Sequence, residues 1–147
     1  MPRHLHIDYE TFSSADLKNV GAWRYAFSDD TTVLCAALAL DGEKPVVWHV
    51  NHHPQESFDK YWDALEDPDV LLYAHNAQFE MAITSALMHK TWGIAPPDLS
   101  RWRCTASFAR RAALPAKLET LAITLGLKNL KDKKGASLIK KFSVMQP

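Results

Sequence analysis

Three carboxylates are the residues of this chain best suited to chemistry: Asp8, Glu10 and, far downstream, Glu80. In residues 5–12 (Leu-His-Ile-Asp-Tyr-Glu-Thr-Phe) the apolar Leu5, Ile7 and Tyr9 alternate with His6, Asp8 and Glu10, the period of a half-buried strand. Asp8 and Glu10 then share one strand face with Cα atoms roughly 7 Å apart. Like charges so placed repel, and a divalent cation held by hard oxygen ligands removes the repulsion. For this pair alone the competing reading is a solvated face or a charged edge that discourages strand addition. Glu80 ends a second stretch, Tyr73-Ala-His-Asn-Ala-Gln-Phe-Glu80. It leaves the C-terminal end of a predicted strand and enters a helix, where ligands gather in open α/β sheets. Taken singly, Asn76 reads as a helix N-cap and Glu80 as an acid offsetting the helix dipole.

Together the two stretches can bring three carboxylates to one rim of a sheet. Such a set around one or two ions about 3.5–4 Å apart suits phosphodiester hydrolysis. One ion lowers the pKa of a bound water, and the other stabilises the leaving 3′ oxygen. All-oxygen ligands favour Mg²⁺ or Mn²⁺ over Zn²⁺. The seven histidines form no zinc pattern, and His4, His6, His52 and His53 read as surface residues.

The elements that must position these residues follow from periodicity and turn signals. After the first strand, residues 13–20 read as a loop or short helical turn ending at Gly21, and residues 22–27 as a short extended piece. Residues 33–40 are continuously apolar, the pattern of a strand buried on both faces. Asp41-Gly42-Glu43-Lys44 predicts a turn and residues 46–50 the hairpin partner. Phe58, Tyr61, Trp62 and Leu65 form one helical stripe stopped by Pro68. Residues 70–74 suit a central parallel strand, and Phe79, Ile83, Ala86 and Leu87 give a second helical stripe. Residues 98–111 and 118–125 predict two further helices, broken at Pro115 and stopped at Gly126. The lysine-rich residues 128–141 predict a helix after Gly135. The sum, three hairpin-linked strands, then helix, strand and helices, is a mixed α/β sheet flanked by helices.

Composition narrows the class. The 147 residues suit one domain, 1–147, with 47% hydrophobic and 23% charged residues and a formal net charge of zero. Attraction to nucleic acid must therefore come from local clusters. Cys35 and Cys104 have no disulfide or metal spacing and read as reduced thiols of a cytoplasmic protein. No signal peptide is legible, and the longest apolar run is far too short to span a bilayer. One basic cluster comprises Lys128, Lys131, Lys133, Lys134, Lys140 and Lys141, a second Arg101, Arg103, Arg110 and Arg111. Either could hold phosphates without reading sequence. Phe12 and Trp102 are candidates for stacking on splayed bases.

His6-Ile-Asp-Tyr-Glu-Thr-Phe-Ser resembles the first motif of the DEDD, or DnaQ-like, 3′–5′ exonucleases, and Ala74-His-Asn-Ala-Gln-Phe-Glu80 the second, with Glu80 where most of that superfamily has Asp. Trp102-Arg-Cys-Thr105, then Leu114-Pro115 and residues 118–127, resemble the segment that follows. Within the superfamily the chain is most similar to the exonuclease domain at the N-terminus of bacteriophage family A DNA polymerases. The resemblance implies a ribonuclease H-like fold and two-metal (Mg²⁺ or Mn²⁺) proofreading removal of nucleotides from DNA 3′ ends. A polymerase domain or other replication protein is the implied partner, and a bacterial host cytoplasm the implied setting. By position, Asp8 would bridge both ions, Glu10 would bind the catalytic-site ion and Glu80 would complete the second ion's shell. Thr11 and Phe12 would line the terminal-nucleotide pocket, and Asn76 could contact DNA. The family's third motif, Tyr-x3-Asp or His-x4-Asp, has no match after Glu80. Pro147 falls about where the approach to that motif is expected, so the C-terminal part of the family domain reads as missing. A non-cutting domain of the same fold that binds single strands or a replication partner is the alternative.

Overall fold

The structure, a computed structural model, describes residues 3–49 and 58–128, together with 135, 138 and 141–143. The alternation in residues 5–12 becomes strand β1 (His4–Phe12), which buries Leu5, Ile7, Tyr9 and Thr11 on one face. β1 is the middle of a five-stranded sheet of order β3-β2-β1-β4-β5. β2 (Thr32–Leu40) runs antiparallel to it, from Leu5 opposite Leu40 to Phe12 opposite Thr32, with a register shift between Glu10 and Thr11. The predicted turn joins β2 to β3 (Val46–His49), with Asp41 and Gly42 both at positive φ. On the other side β4 (Leu71–Ala74) is parallel to β1, and β5 (Trp102–Cys104) is parallel to β4. This is the mixed, ribonuclease H-like sheet that the sequence implied.

Helices cover one face. Counting in chain order, α1 (Leu17–Phe27) and α3 (Gln78–Leu87) pack on each other, and α3 and α2 (Asp59–Glu66) pack on β1. Leu5, Leu72, Tyr61 and Ile83 are fully buried between these layers, and each such side chain contributes about 1.5–3 kcal/mol. The opposite face carries His4, His6 and Tyr73, with the His6 and Tyr73 rings stacked at 5.1 Å. Beside them a groove of about 270 Å³ is lined by Asp8, Tyr73, His75, Thr105, Leu118 and Pro45, among others.

Three expectations are corrected. Residues 22–27 are helical, the second part of α1, which is broken at Gly21 (φ 78, ψ 165). Asp16 starts that helix by accepting a bond from the Lys18 backbone N–H. The break leaves two pieces too short to show a full apolar stripe. In β2 Leu34, Cys35, Ala37 and Ala39 are only half-buried, whereas Val33, Ala36, Leu38 and Leu40 are buried, so one face alone packs into the core. Residues 98–111 are not one helix: a short 3₁₀ turn (Leu99–Arg101) leads into β5, and α4 (Thr105–Arg111) follows. Tertiary pairing overrides local propensity there. The Arg101 guanidinium, read above as part of a basic cluster, is buried and donates to the carbonyls of Ala64, Leu65 and Val70, which lays the next three residues against β4. Arg101→Ala would leave these carbonyls without their donor and is expected to cost roughly 3 kcal/mol. Urea denaturation checks this, and an unchanged midpoint would remove the tie from the account of the fold.

α5 (Leu118–Thr124) ends as predicted, with Gly126 at φ 66. The lysine-rich tail lies mostly outside the described residues. Among the described residues no helix is long and apolar enough to cross a membrane.

Candidate active site

β1 and the first turn of α3 carry the three carboxylates. Asp8 is exposed on β1 opposite Ala37, and Glu10 is half-buried opposite Cys35. Directly opposed residues of an antiparallel pair share a face, so the Cys35 thiol lies with the two acids. Burial, together with the charges of Glu10 and Asp8, pushes that thiol up. Glu80, in the first turn of α3, is 4% exposed. Its Oε2 is buried with no hydrogen-bond partner among the described residues. Burial pushes Glu80 up to about 8 against the pull of its own backbone N–H, and Asp8, Cys104 and Glu10 push it further the same way. Glu80 thus meets the negative charge of Asp8 and Glu10.

The neighbouring side chains hold this arrangement. Tyr9 points into the core, its hydroxyl 3.1 Å from Thr84 Oγ1 on α3. Burial pushes Tyr9 up to about 12, with Glu80 adding to the rise. Cys104, between β5 and α4, lies on the other flank of Glu80. Burial raises its thiol, but the Ser107 side chain and the backbone N–H groups of Ala77, Ser107 and Asn76 outweigh it and bring it down to about 7.

A cation requirement can be tested against these residues. The donors are all oxygens, and one carboxyl has an orphaned buried oxygen whose proton affinity is raised by burial first and by the charges of Asp8 and Glu10 after it. That chemistry fits a hard divalent ion. Among the described residues no group of three or more His, Cys, Asp or Glu side chains is already disposed to hold an ion.

The remaining site candidates divide. Phe12 is half-buried at the end of β1, within reach of solvent, and Asn76 is exposed. Asn76 is not the N-cap of α3: it sits in the left-handed region at φ 64, and Ala77 takes the cap position without a side-chain bond. Asn tolerates that conformation better than most residues. Thr11 is buried on the helix-covered face, with its hydroxyl 2.9 Å from that of Tyr25 on α1, which corrects the expectation that its side chain lines a nucleotide pocket. Trp102 is buried in β5 against the core, which corrects its reading as a stacking platform. Lys131, Lys133 and Lys134 lie outside the described residues. Sequence reasoning missed Cys104 and His75 as neighbours of the site. His75 was inside the second motif all along, and Cys104 inside the stretch compared with the segment after it.

The known proteins similar to this chain carry nuclease and polymerase names. No family model matches it. A DNA polymerase of Bacillus phage SP02 is 36% identical over 143 residues, 95% of this chain and 21% of that polymerase. The chain therefore spans about a fifth of the length of this relative. Among solved structures, RNase D of Escherichia coli, an exoribonuclease involved in structured RNA processing, superposes with a TM-score of 0.57 at 13% identity, over 90% of this chain and 30% of that one. A moderately thermophilic Exonuclease I from Methylocaldum szegediense gives 0.53 at 13% identity, over 90% and 37%. Over nearly its whole length the chain is homologous to part of a bacteriophage DNA polymerase, and its fold is the one shared by RNase D and Exonuclease I.

Proposed function

We propose that this chain is a proofreading-type 3′–5′ exonuclease domain that removes nucleotides from DNA 3′ ends with two divalent ions, Mg²⁺ or Mn²⁺. The observation that carries the reading is the buried Glu80 carboxyl, with an orphaned oxygen, facing the charges of Asp8 and Glu10. A sequence shaped only for stability gains nothing from such a group. Asp8 and Glu10 on one strand and Glu80 on α3 would hold the ions. When bound, divalent ions lower the pKa of a coordinated water and neutralise the departing 3′ oxygen.

The chain's own residues do the rest. β1 fixes two acids on one face, and the Tyr9–Thr84 bond ties that strand to the helix bearing the third. Phe12, half-buried at the end of β1, offers a ring against which a terminal base can stack. Asn76, exposed beside the site, offers an amide to the substrate strand. Lysines 131, 133 and 134 would hold phosphates, and a polymerase domain would supply the DNA end in a bacterial host cytoplasm. Residues 1–147 act in this reading as one exonuclease unit.

The second reading is a domain of the same fold that binds single-stranded DNA or a replication partner without cutting. It is favoured by the absence, among the described residues, of three ligating side chains already disposed around an ion. One experiment separates the two: a 5′-labelled single strand of DNA, and its RNA counterpart, incubated with Mg²⁺, Mn²⁺ or EDTA. A metal-dependent ladder shortening from the 3′ end is the expected result. Retained, salt-sensitive binding without a ladder would establish the second reading and end the first.

A further inference from the structure

The chain has three residues, 75–77, in which to turn from β4 into α3, and none of them caps the helix with its side chain. The turn is held from outside. His75 places Nε2 2.8 Å from the Ala116 carbonyl, in the segment before α5, and Nδ1 2.9 Å from Thr105 Oγ1, at the start of α4. A carbonyl only accepts, so Nε2 carries a proton and donates to Ala116, while Nδ1 and the Thr105 hydroxyl share the second hydrogen bond. The same hydroxyl lies 3.4 Å from the Ala74 carbonyl at the end of β4. His75 therefore anchors the turn to the β5–α4–α5 part of the fold.

Glu80 lies in the first turn of the helix that this turn launches. Its Oε2 has no partner among the described residues, and its carboxyl bonds to its own backbone N–H. Where the carboxyl points is thus decided by where α3 begins.

We propose that His75 is a positioning residue for Glu80: by bridging Thr105 and Ala116 it fixes the β4–α3 turn and so the direction of the third ion-binding carboxylate. The inference rests on the reading of Glu80 as an ion ligand. Groups that orient a metal ligand from behind typically change metal affinity or activity about 10–100-fold when lost.

The test measures Mn²⁺ binding by titration calorimetry and the Mn²⁺ dependence of cleavage, with thermal melting alongside, for the wild type and His75→Ala, His75→Gln, Thr105→Val and Glu80→Gln. His75→Ala is expected to weaken Mn²⁺ binding roughly tenfold and to raise the Mn²⁺ needed for half-maximal cleavage equally. The rate at saturating Mn²⁺ should recover to within about threefold. Glutamine can donate to Ala116 and accept from Thr105, so His75→Gln should restore most of the affinity. Thr105→Val keeps the packing volume and should show a smaller loss in the same direction, which keeps the test open if His75→Ala fails to fold. Unchanged Mn²⁺ affinity in folded His75→Ala or Thr105→Val, even with a lower melting temperature, would overturn the proposal and leave His75 a fold residue only. Glu80→Gln marks the other failure: if it binds Mn²⁺ as the wild type does, or the wild type binds none, the reading of Glu80 as a ligand is what fell.

Discussion

Asp8→Ala is expected to lower metal-dependent cleavage by about 10³-fold or more while leaving the fold in place. Asp8 is exposed, and its strand is anchored by Leu5, Ile7 and Tyr9 on the opposite face, which the substitution does not touch. Its carboxylate is at once a ligand candidate and a source of the charge that raises Glu80. Removing it should also bring the proton affinity of Glu80 down, so any residual activity would change with pH differently from the wild type. A labelled-strand assay on purified variant and wild type, with circular dichroism to confirm folding, decides the matter. Cleavage by the variant at the wild-type rate would show that the site lies elsewhere.

Glu80→Gln is expected to abolish cleavage as well, yet to stabilise the ion-free protein at alkaline pH. The sign follows from the raised value. Unfolded, the carboxyl titrates near 4.5; folded, near 8. Between those values the folded state keeps a proton that the unfolded state releases, so stability falls as pH rises through that window and levels off above about 8. At about 1.4 kcal/mol per unit, the span is on the order of 5 kcal/mol. Glutamine stays neutral throughout, so the variant should lack this fall, keep only the changes due to other groups such as Cys104, and be more stable than the wild type above neutrality. With Mn²⁺ the order reverses for the wild type, because the ion favours the carboxylate and should stabilise more at pH 8 than at pH 5. Urea denaturation from pH 5 to 9, with EDTA and then with Mn²⁺, reads all three effects. A wild-type stability that does not fall with pH in EDTA would contradict the burial of an unpaired Glu80.

Legibility in the sequence tracked how local the cause was. Strict alternation made β1 readable, and Asp41-Gly42 fixed the β2–β3 turn. The Phe58–Leu65 stripe predicted α2, and Gly126 marked the end of α5. β5 was not readable, because three residues carry no period and are strand only through pairing with β4. The same distance effect hid the fate of Trp102 and Arg101: their types suggested stacking and phosphate contact, but partners from α2 and β4 bury them. Asn76 illustrates a local ambiguity, since Asn suits both an N-cap and a left-handed turn, and the anchoring of that turn through His75 goes with the second. In the site, Asp8 and Glu10 were legible as a pair. The burial of Glu80 and the nearness of Cys104 depend on how α3 and α4 meet, which no spacing encodes.

The strand order also sets when the site can come into being. β1 meets β2 across α1 alone, Phe12 with Thr32 and Leu5 with Leu40, whereas Leu5 reaches Leu72 of β4 only across the whole first half of the chain. Closing that longer loop costs more chain entropy before any contact rewards it, and non-local pairings of this kind slow folding. The antiparallel half, carrying Asp8 and Glu10, is expected to form ahead of the parallel half that delivers Glu80. A refolding chain should therefore regain strand signal before it regains the ability to capture Mn²⁺. During synthesis, a ribosome-bound nascent chain is expected to have Asp8 and Glu10 set in their strand pair well before Glu80 reaches its place on α3.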